Sequence, residues 1–169
     1  MKAIKIIGRS ICWILAACCF AVVLATAYTA YLRNAKGETC PTVFGIGSAV
    51  VISGSMEDAI SIDDLIITLK RDTYEVGDIV MYDGGSSPVT HRIIEKNGDT
   101  YITKGDANNV EDKAPVEESK IAGKVILVVP GVGKVIAFMQ TQLGIMIMIL
   151  GALILLIAPS FLRREEKEE

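Results

Sequence analysis

Hydrophobic and polar positions divide the 169-residue chain into three parts. Residues 10–32 carry no charge over 23 positions, and residues 135–162 carry none over 28. A bilayer core needs roughly 20 apolar residues per helix, so each run is long enough to cross one. Between them the pattern changes to short apolar runs of strand length, broken by Gly-, Asp- and Ser-containing turns: "VFGIGSAVVIS" (43–53), "DLIITLKR" (64–71), "DIVMYD" (78–83), "VTHRIIEK" (89–96), "TYITKGD" (100–106) and "KIAGKVILVVP" (120–130). Asn97-Gly98, between two such runs, is a strong hairpin signal, because both turn positions need a positive φ. No stretch of ten residues in this middle part carries a helical stripe, and no repeat is visible. The pattern predicts a mostly β fold: a small antiparallel domain at 33–139 between transmembrane helices at 10–32 and 140–162, with short flanks at 1–9 and 163–169.

Composition strengthens the membrane reading. Hydrophobic residues make up 51% of the chain and the mean hydropathy is +0.44, high for a soluble domain of this size. Charge sets the orientation. Lys2, Lys5 and Arg9 precede the first run, and Arg163, Arg164 and Lys167 follow the second, so both ends are expected in the cytoplasm and the middle domain outside. Arg33 and Lys36 reduce this asymmetry without reversing it. The middle domain holds eleven basic and sixteen acidic residues, a net of −5, which argues against a nucleic-acid partner. "LAAC" (15–18) resembles a lipobox and "ATA" (25–27) a signal cleavage site, but the apolar run continues beyond both, so an uncleaved anchor is expected. Of four cysteines, Cys12, Cys18 and Cys19 lie in the first run and only Cys40 lies in the middle domain. That domain therefore has no internal disulfide and no metal site built on cysteine pairs; no cofactor is expected.

Three short motifs carry candidate chemistry. "SGSME" (53–57) closes a β-branched run, a rigid mount for a hydroxyl nucleophile. A serine hydroxyl is weak until a base takes its proton. His91 is the only histidine. Alternation puts Val89, His91 and Ile93 on one strand face, so the imidazole sits among apolar groups. Lys70, after another strand, is the rival base, and would have to be buried and neutral. "KGDANNVED" (104–112) follows a hairpin strand and offers Asp106 and Asp112, either of which suits a histidine that needs a carboxylate to fix its tautomer. The same loop matches a calcium loop at Asp106, Asn108, Asp112 and Glu117, but Val110 and Glu111 stand where a ligand and a glycine belong.

In this order the motifs resemble those of type I signal peptidases of the endoplasmic-reticulum type, also found in archaea and some Gram-positive bacteria. "SGSME" resembles the serine box, "THRI" (90–93) the histidine box and "KGDANN" with Asp112 the aspartate box; the likeness covers roughly residues 43–130. It implies Ser55 as nucleophile and His91 in the place that lysine fills in the ordinary bacterial type. Asp112 then orients His91, and Asp106 is a second, auxiliary acid. It also implies an oxyanion hole made by Ser53 and the Ser55 amide. The substrates it implies are secretory preproteins, cleaved after a small-x-small motif at the outer membrane surface, with the bilayer and the export translocon as neighbours. The C-terminal apolar run points to the Gram-positive members. One departure is Asp58, where many members have proline, expected to loosen the turn after the nucleophile. The rival reading is an inactive or calcium-binding tethered β-domain that binds exported proteins. Met56 is expected in the core rather than at the lipid.

Overall fold

In the computed structural model, the described residues are 2–139, 141–144, 146–151, 153 and 154. They divide into two compact units: residues 29–135, and the described residues before 29 and after 135. The first helix, α1, runs Lys2–Lys36, beginning before and ending after the uncharged run. Within it Trp13–Lys36 is long and apolar enough to cross a bilayer, at 24 residues and mean hydropathy 2.0. A second helix, α2, covers Val132–Met139, so the end of the range expected to be β is helical. With Gln142–Gly151 it makes a pair bent by 81°, long enough for a second span only if the two pieces count as one. The end of the second apolar run and the basic tail with Arg163, Arg164 and Lys167 lie outside the described residues.

The middle unit is mostly β, as its short runs predict. Its strands are β1 (Thr42–Val43), β2 (Ile46–Val50), β3 (Leu65–Leu69), β4 (Ile79–Asp83), β5 (Pro88–Asn97), β6 (Thr100–Lys104), β7 (Val116–Glu117) and β8 (Ile121–Val129). They make one sheet in the order β1-β2-β3-β8-β4-β5-β6-β7, every pair antiparallel. The expected hairpin forms, but one residue later: Asn97 pairs with Thr100, so Gly98 and Asp99 make the turn, and only Gly98 takes a positive φ, 62°. "VFGIGSAVVIS" is not one strand. Phe44 and Gly45, at φ 52° and 77°, turn the chain between β1 and β2. A glycine makes this turn cheap, and the aromatic beside it hides the signal. β7 escaped the sequence reading because it is two residues long.

Two cores lie on the sheet. Tyr74, Val80, Tyr82, Ile93, Tyr101, Val116 and Ile121 form one. Met56, Ile60, Ile66, Met81 and Ala122 form the other. Successive β4 residues Val80 and Met81 enter different cores, as a pleated strand requires. Met56 and Ile60 matter most for function: they pin the loop after Ser55 into the second core, so Met56 is a core residue as expected.

That loop is closed at its neck. The Val51 N–H donates to the Asp64 carbonyl and the Asp63 N–H to the Val51 carbonyl, each at 2.9 Å. The buried Asp64 carboxylate accepts the N–H groups of Ser61 (2.9 Å) and Gly131 (3.0 Å). The Gly133 N–H donates to the Asp63 carbonyl at 2.7 Å. The serine loop and the first turn of α2 are therefore fastened to each other.

Candidate active site

Ser55 sits in this loop, five residues beyond the end of β2, in a run of turns rather than on the strand itself. Its carbonyl accepts the Ala107 N–H at 3.0 Å, which ties the serine loop to the loop after β6. Gly105 makes this approach feasible: a Cβ there would stand 2.5 Å from the Ser55 carbonyl oxygen. Asp58 adopts φ 49°, which proline, fixed near −65°, cannot reach. Proline could therefore not stand at this position in this turn, where Ala59 and Ile60 donate to the Met56 carbonyl.

His91 lies on β5, opposite Val80 of β4, and is 7% exposed. Val89 and Ile93 share its face, as alternation predicts; Ile93 belongs to the first core and the partly buried Val89 packs against it. His91 Nε2 is 3.3 Å from Ser55 Oγ, and Nδ1 is 2.6 Å from Asp112 Oδ2. An ionised carboxylate only accepts, so the Nδ1 proton goes to Asp112 and Nε2 faces the serine with a free lone pair. Asp112 hangs from the loop after β6, where its N–H donates to the Thr103 carbonyl at 2.8 Å.

Asp106 is not brought to His91. It takes both arms of the Arg92 guanidinium, at 2.8 and 2.6 Å, while Arg92 also donates to the Gly77 carbonyl at 2.8 Å. Lys70 is directed elsewhere too, donating to the Ile121 carbonyl at 2.6 Å. The ligands of the calcium reading separate: Asp106 pairs with Arg92, Asp112 with His91, and Glu117 lies in β7. Among the described residues no group of three or more metal-ligating side chains forms. Ser53 Oγ lies 3.4 Å from Ser55 Oγ and is exposed.

Two residues that the sequence reading did not single out complete the site. Tyr82 OH donates to Asp112 Oδ2 at 2.8 Å, and Thr103 Oγ1 donates to the same oxygen at 2.6 Å. Burial pushes the Asp112 carboxyl upward, but the hydrogen bonds from His91, Thr103 and Tyr82 outweigh it and hold it below the usual carboxylate value. Burial pushes the Tyr82 phenol well above its ordinary value, so it remains a donor.

A groove of about 460 Å³ runs past Ser55 and His91, with Ile66, Met56 and Val89 among its lining residues. Two backbone edges flank it. Ile93 exchanges bonds with Asp78 and Gly77, so the odd-numbered residues of β5 face β4. Thr90, and the carbonyl of Pro88, then face the other way, where β6 pairs only from Arg92 onward. Val51 bonds toward β3, so Val50 and Ile52 face away from it, beyond the reach of β1. Val50, Ile52, Pro88 and Thr90 all line the groove.

Comparison with curated proteins fixes the family. A signal peptidase complex catalytic subunit SEC11 from Metarhizium acridum is 32% identical over 154 residues, covering 82% of this chain and 87% of the relative. One from Fusarium vanettenii is 34% identical over 156 residues with the same coverages. One from Candida albicans is 43% identical over 70 residues, 37% of this chain and 42% of the relative. The chain belongs to the SEC11 family of signal peptidase catalytic subunits. This SEC11-family chain is accordingly a signal peptidase, a hydrolase of the endoplasmic-reticulum type. The relatives named here are fungal and lend no support to a Gram-positive assignment. A scan against protein-family models finds no match.

Proposed function

We propose that this chain is a membrane-bound serine endopeptidase that removes signal peptides from secretory preproteins, cutting after a small-x-small motif. The observation that carries the mechanism is the continuous relay Ser55–His91–Asp112 at 3.3 and 2.6 Å. Ser55 Oγ attacks the scissile carbonyl while His91 Nε2 takes its proton. Asp112 holds the tautomer and stabilises the imidazolium that forms. The 3.3 Å step is long for a working hydrogen bond; such contacts tighten once substrate is bound. The Ser55 N–H and the Ser53 hydroxyl meet the oxyanion, and one such donor is typically worth about 3 kcal/mol. His91 then protonates the leaving amine, and water releases the acyl-enzyme.

The groove supports an extended substrate. A segment lying between the Val50–Ile52 edge and the Pro88–Thr90 edge would gain main-chain hydrogen bonds on both sides. Small residues then suit the shallow apolar floor. In this reading the first helix anchors the enzyme, the second apolar run returns the chain to the cytoplasm, and the β-domain works on the extracytoplasmic face, beside the exit of the export translocon. Asp106 belongs to the framework: its fork with Arg92, the neighbour of His91, steadies the loop that carries Asp112.

The test is cleavage of a small-x-small preprotein by the detergent-purified chain beside Ser55→Ala and His91→Ala. The expected result is cutting by the parent and a loss of at least about 10³-fold in each variant whose circular dichroism matches the parent. A folded His91→Ala that cuts at the parental rate would remove the histidine from the mechanism.

A further inference from the structure

We propose that Tyr82 and Thr103 are positioning residues that control how strongly Asp112 holds the proton of His91, a role that rests on the Ser55–His91 reading above. The geometry is specific. Three donors converge on one carboxylate oxygen: His91 Nδ1 at 2.6 Å, Thr103 Oγ1 at 2.6 Å and Tyr82 OH at 2.8 Å. The two hydroxyls also touch each other, at 3.4 Å. Each has a single proton, and the shorter contacts use both on Asp112, so neither hydroxyl spends its proton on the other.

The sheet makes this convergence rigid. Tyr82 is opposite Val89 across β4–β5, and Thr103 is opposite Ile93 across β5–β6. Both are therefore on the face that carries His91, one on each neighbouring strand. Thr103 is fully buried and Tyr82 is 7% exposed, so water cannot readily replace either donor. Asp112 reaches the same face from its loop, fastened by the bond from its own N–H to the Thr103 carbonyl. Thr103 thus holds both the backbone and the carboxylate of one residue.

The consequence follows from charge. Hydroxyls that donate to an anion disperse its charge and lower its pull on a third donor. If one is removed, the carboxylate draws harder on the imidazole proton and favours the imidazolium. The charged groups on the surrounding elements include Arg92 on β5, Asp83 on β4, Lys104 on β6, Lys124 on β8, and Glu111 and Lys113 beside Asp112. On β5, Arg92 is engaged by Asp106 and the Gly77 carbonyl. On β4, Asp83 accepts the Gly85 N–H. β6 adds Lys104, opposite Arg92 and so on the other face from Thr103; on β8, Lys124 pairs with Asp78 at 2.6 Å; the serine loop contributes Ser55. The titratable groups in contact are therefore His91, Asp112 and Tyr82.

The single histidine provides a direct readout. In full-length protein in detergent micelles, the imidazole NMR signal is titrated for the parent, Tyr82→Phe, Thr103→Val and Thr103→Ser. The expected result is a midpoint raised by about half a pH unit or more in Tyr82→Phe and Thr103→Val, with Thr103→Ser near the parent. The acid limb of kcat/KM should move by the same amount, carried by kcat rather than KM. Parental midpoints in both Phe and Val variants, or a downward shift, would overturn the proposal. The NMR midpoint does not require Ser55 to be the nucleophile. If Ser55→Ala retained activity, the peptidase mechanism would fail while the midpoint still reported on these two hydroxyls.

Discussion

The two acids of the "KGDANNVED" loop are six residues apart and have different partners. Asp112 meets the only imidazole, whereas Asp106 meets a guanidinium that is about one-third exposed. Their amide variants should therefore separate. Asp112→Asn leaves three donors facing an amide and allows the wrong histidine tautomer, so preprotein cleavage should fall by about 10³-fold or more. Asp106→Asn weakens a partly solvated fork and should cost about tenfold or less. Steady-state cleavage rates check both; equal losses would mean that Asp106 works in the reaction itself. Asp112 also predicts an acid limit to stability. Its folded carboxyl titrates below its free value of 3.8. Its stabilising contribution is thus complete above that value and lost as pH falls through the lower folded value. The gap in thermal midpoint between parent and Asp112→Asn should therefore narrow as pH falls below about 4. Ser55, His91 and Asp112, which the structure brings together, were marked by their short motifs and the single histidine; Asp106, marked with them, pairs with Arg92 instead. Tyr82 and Thr103 carried no such mark, since a hydroxyl on a strand face reads the same whether it meets a carboxylate or only packs. Register did not report Thr103 either: counted from the hairpin turn, it falls opposite Ile94, and only the bulge between Ile93 and Glu95 moves it opposite Ile93, onto the His91 face.

At the level of elements, the sheet was legible wherever an apolar run ended at a turn residue, which is why β3, β4, β6 and β8 fall inside the expected runs and β5 exceeds its run by one residue at each end. The β1–β2 turn was hidden because Phe44 takes a positive φ that aromatic residues seldom adopt. The fastening of α2 was hidden for another reason. It depends on Asp63 and Asp64 meeting Gly131 and Gly133, about 70 residues apart in sequence, and no local pattern reports that. This contact makes a prediction for the serine loop. A Cβ at Gly133 would stand 2.5 Å from Val50 Cγ1 and 2.6 Å from the Asp63 carbonyl oxygen. Ordinarily alanine is the better helix former by about 1 kcal/mol. Here the neighbour in the way is backbone, so Gly133→Ala should be destabilising by about 1–3 kcal/mol net. It should also slow cleavage, because Asp63 closes the neck of the loop that carries Ser55. Thermal unfolding and cleavage rate, measured on one preparation, test both. A more stable variant with parental activity would show that α2 and the serine loop are independent.

For the whole molecule, the proposed topology rests on two charge-free runs with basic residues outside them. α1 contains a segment able to span a bilayer, and the second run contains a bent helical pair. The proposed layout has both termini on the cytoplasmic side and the acidic β-domain on the other. An epitope tag at each terminus, with protease added to sealed right-side-out vesicles, distinguishes the possibilities. Protection of both tags, with cleavage confined to the middle domain, is the expected result, and both tags should become accessible once the vesicles are opened. If the N-terminal tag is protected but the C-terminal tag is digested in sealed vesicles, the second run does not cross, and the bent pair lies along the surface instead. Ser55 would then be held by one span and one interfacial helix. In that case, lengthening the apolar part of α1 by one helical turn, about 5.4 Å, should change which peptide bond of a preprotein is cut. With two spans holding the domain, the same insertion should leave the cut site where it was.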